Sequence, residues 1–323
     1  MRPVVLLSEP IHPDGHRLLE QRATVTLAAS VDPASLLEHA ERVDAVILRA
    51  RGRLDRAFFR RAPRLKVVGR YGVGVDNVDL DAAAEHGVTV VNTAGLNAQS
   101  VAEHTIAMMF ALARRLHRQD RAVRERDWSA RDTLGGSELA GATVGVIGFG
   151  SIGRAVAAIC LRGLGMRVLY HDPFRAAGAD GPAASPVSLD DLLRHSDVVS
   201  VHVPLTPQTR HLVGAAQLRA MRRHALLINV SRGAVVDEDA LAAALADGTI
   251  AGAGLDVFAQ EPPEPSTPIL SAPNTLLTPH SAALTEQAAR RVSVGVATDV
   301  LAVLDGLPAV RAVPKPTTTG SVT

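Results

Sequence analysis

Three apolar runs in the second half of the chain lead into polar residues of kinds that do chemistry. The first leads into Asn229-Val230-Ser231-Arg232-Gly233, the second into Asp256-Val257-Phe258-Ala259-Gln260-Glu261-Pro262-Pro263, and the third into Thr278-Pro279-His280-Ser281-Ala282. Singly, Arg232 reads as a surface charge, Glu261 as an acid before a proline turn and His280 as a loop histidine. Together they are a cation, a carboxylate and an imidazole at the carboxyl ends of strands, where open α/β sheets bind ligands. A carboxylate beside an imidazole favours its charged form, so the histidine can deliver a proton near neutral pH. An arginine can fork onto a substrate carboxylate.

A second motif supplies a partner for that chemistry. Thr143-Val144-Gly145-Val146-Ile147 runs into Gly148-Phe149-Gly150-Ser151-Ile152-Gly153, then a helix from Arg154 to about Leu164, then Arg167-Val168-Leu169-Tyr170 and His171-Asp172-Pro173. Gly148 permits a tight turn, Gly150 admits a pyrophosphate close to the backbone, and Gly153 lets helix and strand pack closely. The helix N-terminus offers unpaired N–H groups and the positive end of its dipole. Asp172, 19 residues beyond Gly153, is in reach of an adenosine ribose diol. Its carboxylate would accept from the 2′-OH and repel a 2′-phosphate, which favours NAD over NADP. The two motifs combine into one reaction. Hydride comes from a nicotinamide and the proton from His280, so that a 2-keto acid becomes a 2-hydroxy acid.

The elements that must position these residues are alternating strands and helices. Strands are expected at Val4–Leu7, Val25–Leu27, Ala45–Leu48, Leu65–Val68 and Thr89–Asn92, with helices between them and a loop over Gly69–Asp76. Ser100 to about Arg126 reads as one long helix, its methionines as core. Six further strands begin near 143, 167, 197, 225, 252 and 274, and a helix with Ala289, Val292, Val296 and Val300 on one face begins near Thr285. Strand–helix alternation implies parallel sheets covered by helices on both faces, an α/β protein.

At 323 residues the chain is long for one hydrophobic core, which favours two domains. Hydrophobic residues make up 47% and aromatic ones 3%, so the core must be aliphatic. The formal net charge of +1 gives no reason to expect a nucleic acid or an anionic membrane as partner. Cys160 is the only cysteine, which excludes an internal disulfide, and it falls in an apolar helix as a buried structural thiol. The short apolar start is unlike a signal peptide, and no run approaches the roughly 20 apolar residues of a membrane span, so a cytoplasmic protein is expected.

At these residues the chain resembles the D-isomer-specific 2-hydroxyacid dehydrogenases, from about Val4 to Val303. Gly69-Arg70-Tyr71-Gly72-Val73-Gly74-Val75-Asp76-Asn77-Val78-Asp79 looks like that family's substrate-carboxylate loop, and Asn97 to Glu103 like the start of its linking helix. Val230-Ser231-Arg232-Gly233, Gly254-Leu255-Asp256-Val257-Phe258 with Glu261-Pro262-Pro263, and Thr278-Pro279-His280 match its arginine, glutamate and histidine motifs. The best local match within the family is to the phosphoglycerate dehydrogenases, through Gly69-Arg70, Val73–Asp79 and Ala102–Met109. Arg49-Ala50-Arg51-Gly52 stands for the usual Arg-Ser-Ala-Thr, and His280-Ser281-Ala282-Ala283 for the usual His-Leu-Gly-Ala. A phosphoglycerate dehydrogenase-like activity is the leading expectation, and these departures keep hydroxypyruvate, glyoxylate or a longer 2-keto acid open as alternatives.

The resemblance implies two doubly wound parallel-sheet domains. A Rossmann NAD domain (99–285) would be inserted into a flavodoxin-like substrate domain (1–98 and 286–313). Pro314, Pro316 and the run Thr317 to Thr323 read as a disordered tail over 314–323, and the expected lack of a C-terminal regulatory domain departs from the phosphoglycerate dehydrogenase pattern. The resemblance implies catalytic roles for Arg232, which would orient the substrate, His280 as acid/base and Glu261 as its partner. Cofactor contacts would come from the glycine turn with Ser151 and Ile152, from Asp172, Val203, Pro204, Val230, Ser231, Ser281 and Ala282, and from Asp256 at the carboxamide. Substrate contacts would come from Arg49, Arg70, Tyr71, Val73, Gly74 and Asn97, with Arg49 and Arg70 where a phosphate would bind. A homodimer through the cofactor domain is implied, with Trp128 either crossing that interface or anchoring in the core. The competing classes on this fold are a nucleotide-sensing corepressor and a formate- or phosphite-type dehydrogenase.

Overall fold

The computed structural model describes residues 2–49, 51–175 and 184–315. The chain divides into two compact units, 1–97 with 284–323, and 98–283. The expected tail falls outside the described residues from 316 onward.

The first unit holds five parallel strands, β1 (Val4–Leu7), β2 (Thr24–Leu27), β3 (Ala45–Leu48), β4 (Val67–Arg70) and β5 (Thr89–Val91), in the order β2-β1-β3-β4-β5. That is the flavodoxin-like order. Side-chain alternation splits the core. Leu6, Val46, Leu48 and Val68 face Leu36, Phe58 and Phe59, while Val5, Leu7, Ile47 and Val67 face Val296 and Val300 of the helix Glu286–Leu304. Full burial of each such aliphatic side chain contributes roughly 1.5–3 kcal/mol. Strand β4 runs two residues further than its apolar run suggested, so Arg70 ends a strand and does not open a loop. Pairing with β3 in the register Leu48↔Arg70 causes this extension.

The second unit carries a seven-stranded parallel sheet. Its strands are β6 (Thr143–Ile147), β7 (Arg167–His171), β8 (Ala184–Pro186), β9 (Val198–Val201), β10 (Leu226–Asn229), β11 (Gly252–Leu255) and β12 (Thr275–Leu277). They lie in the order β12-β11-β10-β9-β6-β7-β8. From β8 to β11 this is the 3-2-1-4-5-6 order of a dinucleotide fold, with the reversal between β6 and β9. The sixfold count from sequence was one short. Strand β8 is three residues, Ala-Ser-Pro, at the sheet edge, where a short strand carrying proline leaves no apolar run to read.

The single helix expected over Ser100–Arg126 is two, Ala98–Ala113 and Leu116–Arg124. Arg115 sits between them at φ 54°, a left-handed conformation that nothing in its residue type announces. Met108, Met109 and Leu112 of the first helix pack with Val144, Val146, Ile228 and Cys160. Burial pushes the Cys160 thiol up to about 12, which keeps it unreactive at neutral pH. Trp128 is 72% exposed, which removes the core-anchor reading. No helix among the described residues is long and apolar enough to cross a membrane.

The segment 310–313 is strapped to the first unit's sheet. Ala312 bridges Val91, and Val313 N–H donates to Val90 O at 2.8 Å. The clasp is Asp299, 1% exposed on the helix Glu286–Leu304. Its Oδ1 accepts Val310 N–H at 3.0 Å, and Arg311 Nη1 lies 3.3 Å from its Oδ2. Removing one member of a buried pair strands the other charge, so Arg311→Met should destabilise the protein by about 3 kcal/mol. Arg311→Met with Asp299→Leu should recover most of that loss in urea denaturation, and equal losses in the two variants would contradict it.

Candidate active site

The glycine turn joins β6 to the helix Ser151–Leu164, which begins three residues earlier than its apolar pattern suggested. Gly148 has φ +88°, and a Cβ there would meet the His202 carbonyl at 2.8 Å and Val203 at the same distance. A Cβ at Gly153 would meet Gly148 O at 2.2 Å. At Gly150 a Cβ would enter open space, so the backbone faces a cradle that a side chain would fill. Ser151 and Pro204 are exposed and Ile152 and Val203 half-buried around it. The first N–H groups of the helix have no partners within it. This arrangement fits the pyrophosphate of a dinucleotide.

Asp172 follows β7. Its Oδ2 accepts Phe149 N–H at 2.8 Å and its Oδ1 accepts Phe174 N–H at 3.0 Å, and each oxygen keeps a further lone pair. Phe149 is buried in the glycine turn, its ring stacked on Tyr170 at 4.0 Å. Asp172 and Phe149 therefore hold the turn between them. The sequence motif leaves Phe149 as an unspecified position and gives no hint of that role.

The three chemical residues of this unit sit on turns after β10, β11 and β12. Asn229 ends β10 and is 1% exposed. Its Oδ1 accepts from Ser231 N–H and Ser231 Oγ–H at 3.1 and 2.9 Å, and its Nδ2 donates to Arg232 O at 2.9 Å. Arg232 Nη1 donates to Ser231 O at 2.7 Å, and Val230 is buried. A Cβ at Gly233 would lie 1.9 Å from the Phe258 carbonyl carbon, so only glycine lets this turn lie against the next one.

That next turn carries Glu261. Its Oε1 accepts Phe258 N–H at 3.1 Å and its Oε2 is 2.7 Å from His280 Nδ1. Burial pushes the Glu261 carboxyl up. The hydrogen bonds from His280 and Phe258 and the charges of His280 and Arg232 outweigh it and hold the carboxyl below its ordinary value. A second carboxylate, Glu238, accepts Ala259 N–H at 2.5 Å. Burial raises its carboxyl, with Asp239 and Glu261 adding to the rise against that N–H. His280 is half-exposed at φ 52°, its N–H donating to Asp256 O at 2.7 Å. Asp256 is buried, and its carboxylate accepts the N–H groups of Ser281 and Ala282 at 2.8 and 2.9 Å. It holds the histidine turn together, a function its motif did not announce. His202 is excluded as a rival acid/base, because burial pushes its imidazole down to about 3.

The residues expected to bind substrate lie in the first unit. Arg49 donates to Pro10 O at 2.6 Å and lies 5.0 Å over the Tyr71 ring. Arg70 donates to Tyr71 O, and its Nε donates to Asn77 Oδ1 at 3.1 Å. Asn77 Nδ2 in turn donates to Arg49 O and Gly52 O at 2.8 and 2.6 Å, which makes it an organiser that the sequence motif passed over. Tyr71 OH donates to Ala289 O at 3.0 Å. Among the described residues the N–H groups of Val73 and Gly74 donate to nothing. Asn97 Oδ1 is buried without a partner.

Comparison with known proteins extends the same pattern. Residues 106–282 match the model of the D-isomer specific 2-hydroxyacid dehydrogenase NAD binding domain. The chain is 39% identical over 314 residues to a D-3-phosphoglycerate dehydrogenase of Archaeoglobus fulgidus, covering 97% of this chain and 59% of that relative. It thus spans less than two thirds of the length of that relative. It is also 39% identical over 309 residues to a glyoxylate reductase of Korarchaeum cryptofilum, covering 94% of this chain and 93% of the relative. Among solved structures it is similar to a D-lactate dehydrogenase of Aquifex aeolicus complexed with NAD and lactic acid, with a TM-score of 0.84, 31% identity, and 94% and 96% of the two chains covered. With two parallel α/β units, a glycine cradle built for a dinucleotide and these matches, the chain belongs to the D-isomer specific 2-hydroxyacid dehydrogenase family and its cofactor is NAD.

Proposed function

We propose that the protein is an NAD-dependent D-2-hydroxyacid dehydrogenase that also works in reverse, as a 2-keto acid reductase. The observation that carries the reading is the 2.7 Å pairing of His280 with Glu261 on turns that follow adjacent strands of a dinucleotide-binding sheet. The bound nicotinamide supplies or accepts the hydride. His280 holds the proton that reaches the carbonyl oxygen, with Nε2 as its transferring atom because Nδ1 is engaged by Glu261. Glu261 stays ionised and stabilises the imidazolium. Arg232 orients the substrate's carboxylate and carbonyl. In the first unit the N–H groups of Val73 and Gly74 are unpaired donors for a carboxylate. Gly150, Ser151, Ile152 and Gly153 hold the pyrophosphate, and Asp172 the ribose.

The substrate is a small 2-keto acid such as glyoxylate or hydroxypyruvate. Arg49 and Arg70, where a phosphate was expected, each spend part of their guanidinium within their own unit, on Pro10 O and on Tyr71 O and Asn77 Oδ1, which supports the smaller substrate. The similarity to phosphoglycerate dehydrogenases supports the second reading, a phosphorylated 2-keto acid.

The protein is proposed to act as a homodimer through its second unit. Leu116 and Val123 lie seven residues apart on one helical face, and with Trp128 they are 49%, 59% and 72% exposed. An apolar group of this kind marks an interaction surface. Sedimentation should show a dimer that Val123→Glu converts to a monomer, and a monomeric wild type would contradict the assignment.

His280→Ala should lower kcat by about 10²–10⁴-fold, the usual contribution of a positioned acid or base. Reduction takes up a proton at His280 and oxidation releases one, so the two directions should respond to pH with opposite sign. The lowered Glu261 carboxyl keeps its charge to a lower pH than an ordinary glutamate, so what it contributes is lost only as pH falls through that lowered value. Full turnover in His280→Ala, or parallel pH profiles in the two directions, would contradict the mechanism.

Asp172→Asn keeps an acceptor for Phe149 N–H and removes the charge. It should raise the NADPH to NADH ratio of kcat/KM by roughly tenfold, equivalent to about 1.4 kcal/mol. An unchanged ratio would show that Asp172 does not select the cofactor.

A further inference from the structure

One titratable side chain beside the histidine turn has no part in the reaction described above. His104, on the helix Ala98–Ala113, places Nε2 3.1 Å from Thr278 Oγ1 and 3.6 Å from Asp256 Oδ1. Thr278 Oγ1 lies 2.6 Å from Asp256 Oδ1. A carboxylate only accepts, so the threonine proton points to Asp256 and the threonine lone pairs face His104. The short chain therefore runs from His104 Nε2–H through Thr278 to Asp256. From Asp256 it divides to the backbone, where the carboxylate takes the N–H groups of Ser281 and Ala282 and the main-chain carbonyl takes that of His280.

His280 needs such support. Its φ of 52° is a backbone conformation that costs a non-glycine residue on the order of 1 kcal/mol and persists where its surroundings impose it. The turn that imposes it hangs on one carboxylate that is 1% exposed. The carboxylate is oriented on its other side by a side chain from a different element, the helix Ala98–Ala113. A helix is the more rigid mount of the two, because its backbone hydrogen bonds are internal and its buried face packs on the sheet.

We propose that His104 is a positioning residue for the reaction: through Thr278 and Asp256 it fixes the turn that aims His280 at Glu261. The inference rests on the reading of His280 as acid/base given above. It assigns work to a helix residue that touches neither the glycine turn nor the His280–Glu261 pair.

The test compares His104→Leu, His104→Gln and Thr278→Val in the full-length protein, with NADH and glyoxylate or hydroxypyruvate. Misplacement of the acid should lower kcat of His104→Leu by about tenfold while KM for NADH stays within about twofold. His104→Gln keeps an N–H donor directed at Thr278 and should recover most of the loss. Thr278→Val, nearly isosteric, should reproduce the leucine variant even if that variant folds poorly, and the double variant should be no slower than either single one. A purely structural role would lower Tm and the yield of folded protein while leaving kcat per folded molecule unchanged. Leucine and valine variants with kcat within about twofold of wild type, or a glutamine variant as slow as leucine, would overturn the proposal. A wild type that turns over no 2-keto acid would instead remove the reading of His280 as acid/base, and this inference with it.

Discussion

A buried parallel strand has to end somewhere, and the backbone groups just beyond it need partners that water no longer supplies. In the second unit two buried polar side chains meet that demand. Asn229 and Asp256 end or follow the adjacent strands β10 and β11, joined by Asp256 N–H donating to Asn229 O at 3.0 Å. Asn229 takes up the turn that carries Arg232, and Asp256 the turn that carries His280. An Asn or Asp at 1% exposure is costly unless its polar atoms are bonded, and both are fully engaged in shaping chain that leaves the sheet. Those two turns carry Arg232 and His280, two of the three residues to which the proposed reaction assigns its work.

The consequence is a division of labour between residues that hold and residues that react. Asn229, Asp256, Gly233 and Phe149 are buried and fix backbone. Glu261 and His280, the pair proposed to react, are partly exposed. Glu261 gains its depressed carboxyl from neighbours that the turns bring to it, against a burial that acts the other way. In the first unit Asn77 plays the holding part, binding Arg49 and Gly52 through their carbonyls and Arg70 through its side chain.

Aliphatic runs made most of the architecture legible from residues alone, because strands buried on both faces must be apolar and helices between them must be amphipathic. The glycine turn was legible for a related reason, since Gly148 and Gly153 leave no room for another residue. Arg232, Glu261 and His280 stood out as polar residues where an apolar run stops. Strand β8 did not, because Ala-Ser-Pro at an edge owes its strand character to its neighbour. The break at Arg115 was hidden for the opposite reason, as arginine is an ordinary helix residue and nothing in its type announces a left-handed backbone. The holding residues were named only as motif letters. What Asp256, Phe149 and His104 do depends on partners distant in sequence, as with His104 and Thr278, 174 residues apart.

The central claim is that this site transfers hydride and proton to a 2-keto acid. Its most direct test is NADH oxidation across a panel of glyoxylate, hydroxypyruvate, pyruvate and phosphohydroxypyruvate, with chiral analysis of the products. The expected result is stoichiometric 2-hydroxy acid of the D configuration wherever the product is chiral, with glyoxylate or hydroxypyruvate reduced most efficiently. Tight NADH binding with no turnover of any 2-keto acid would contradict it, and so would an L product.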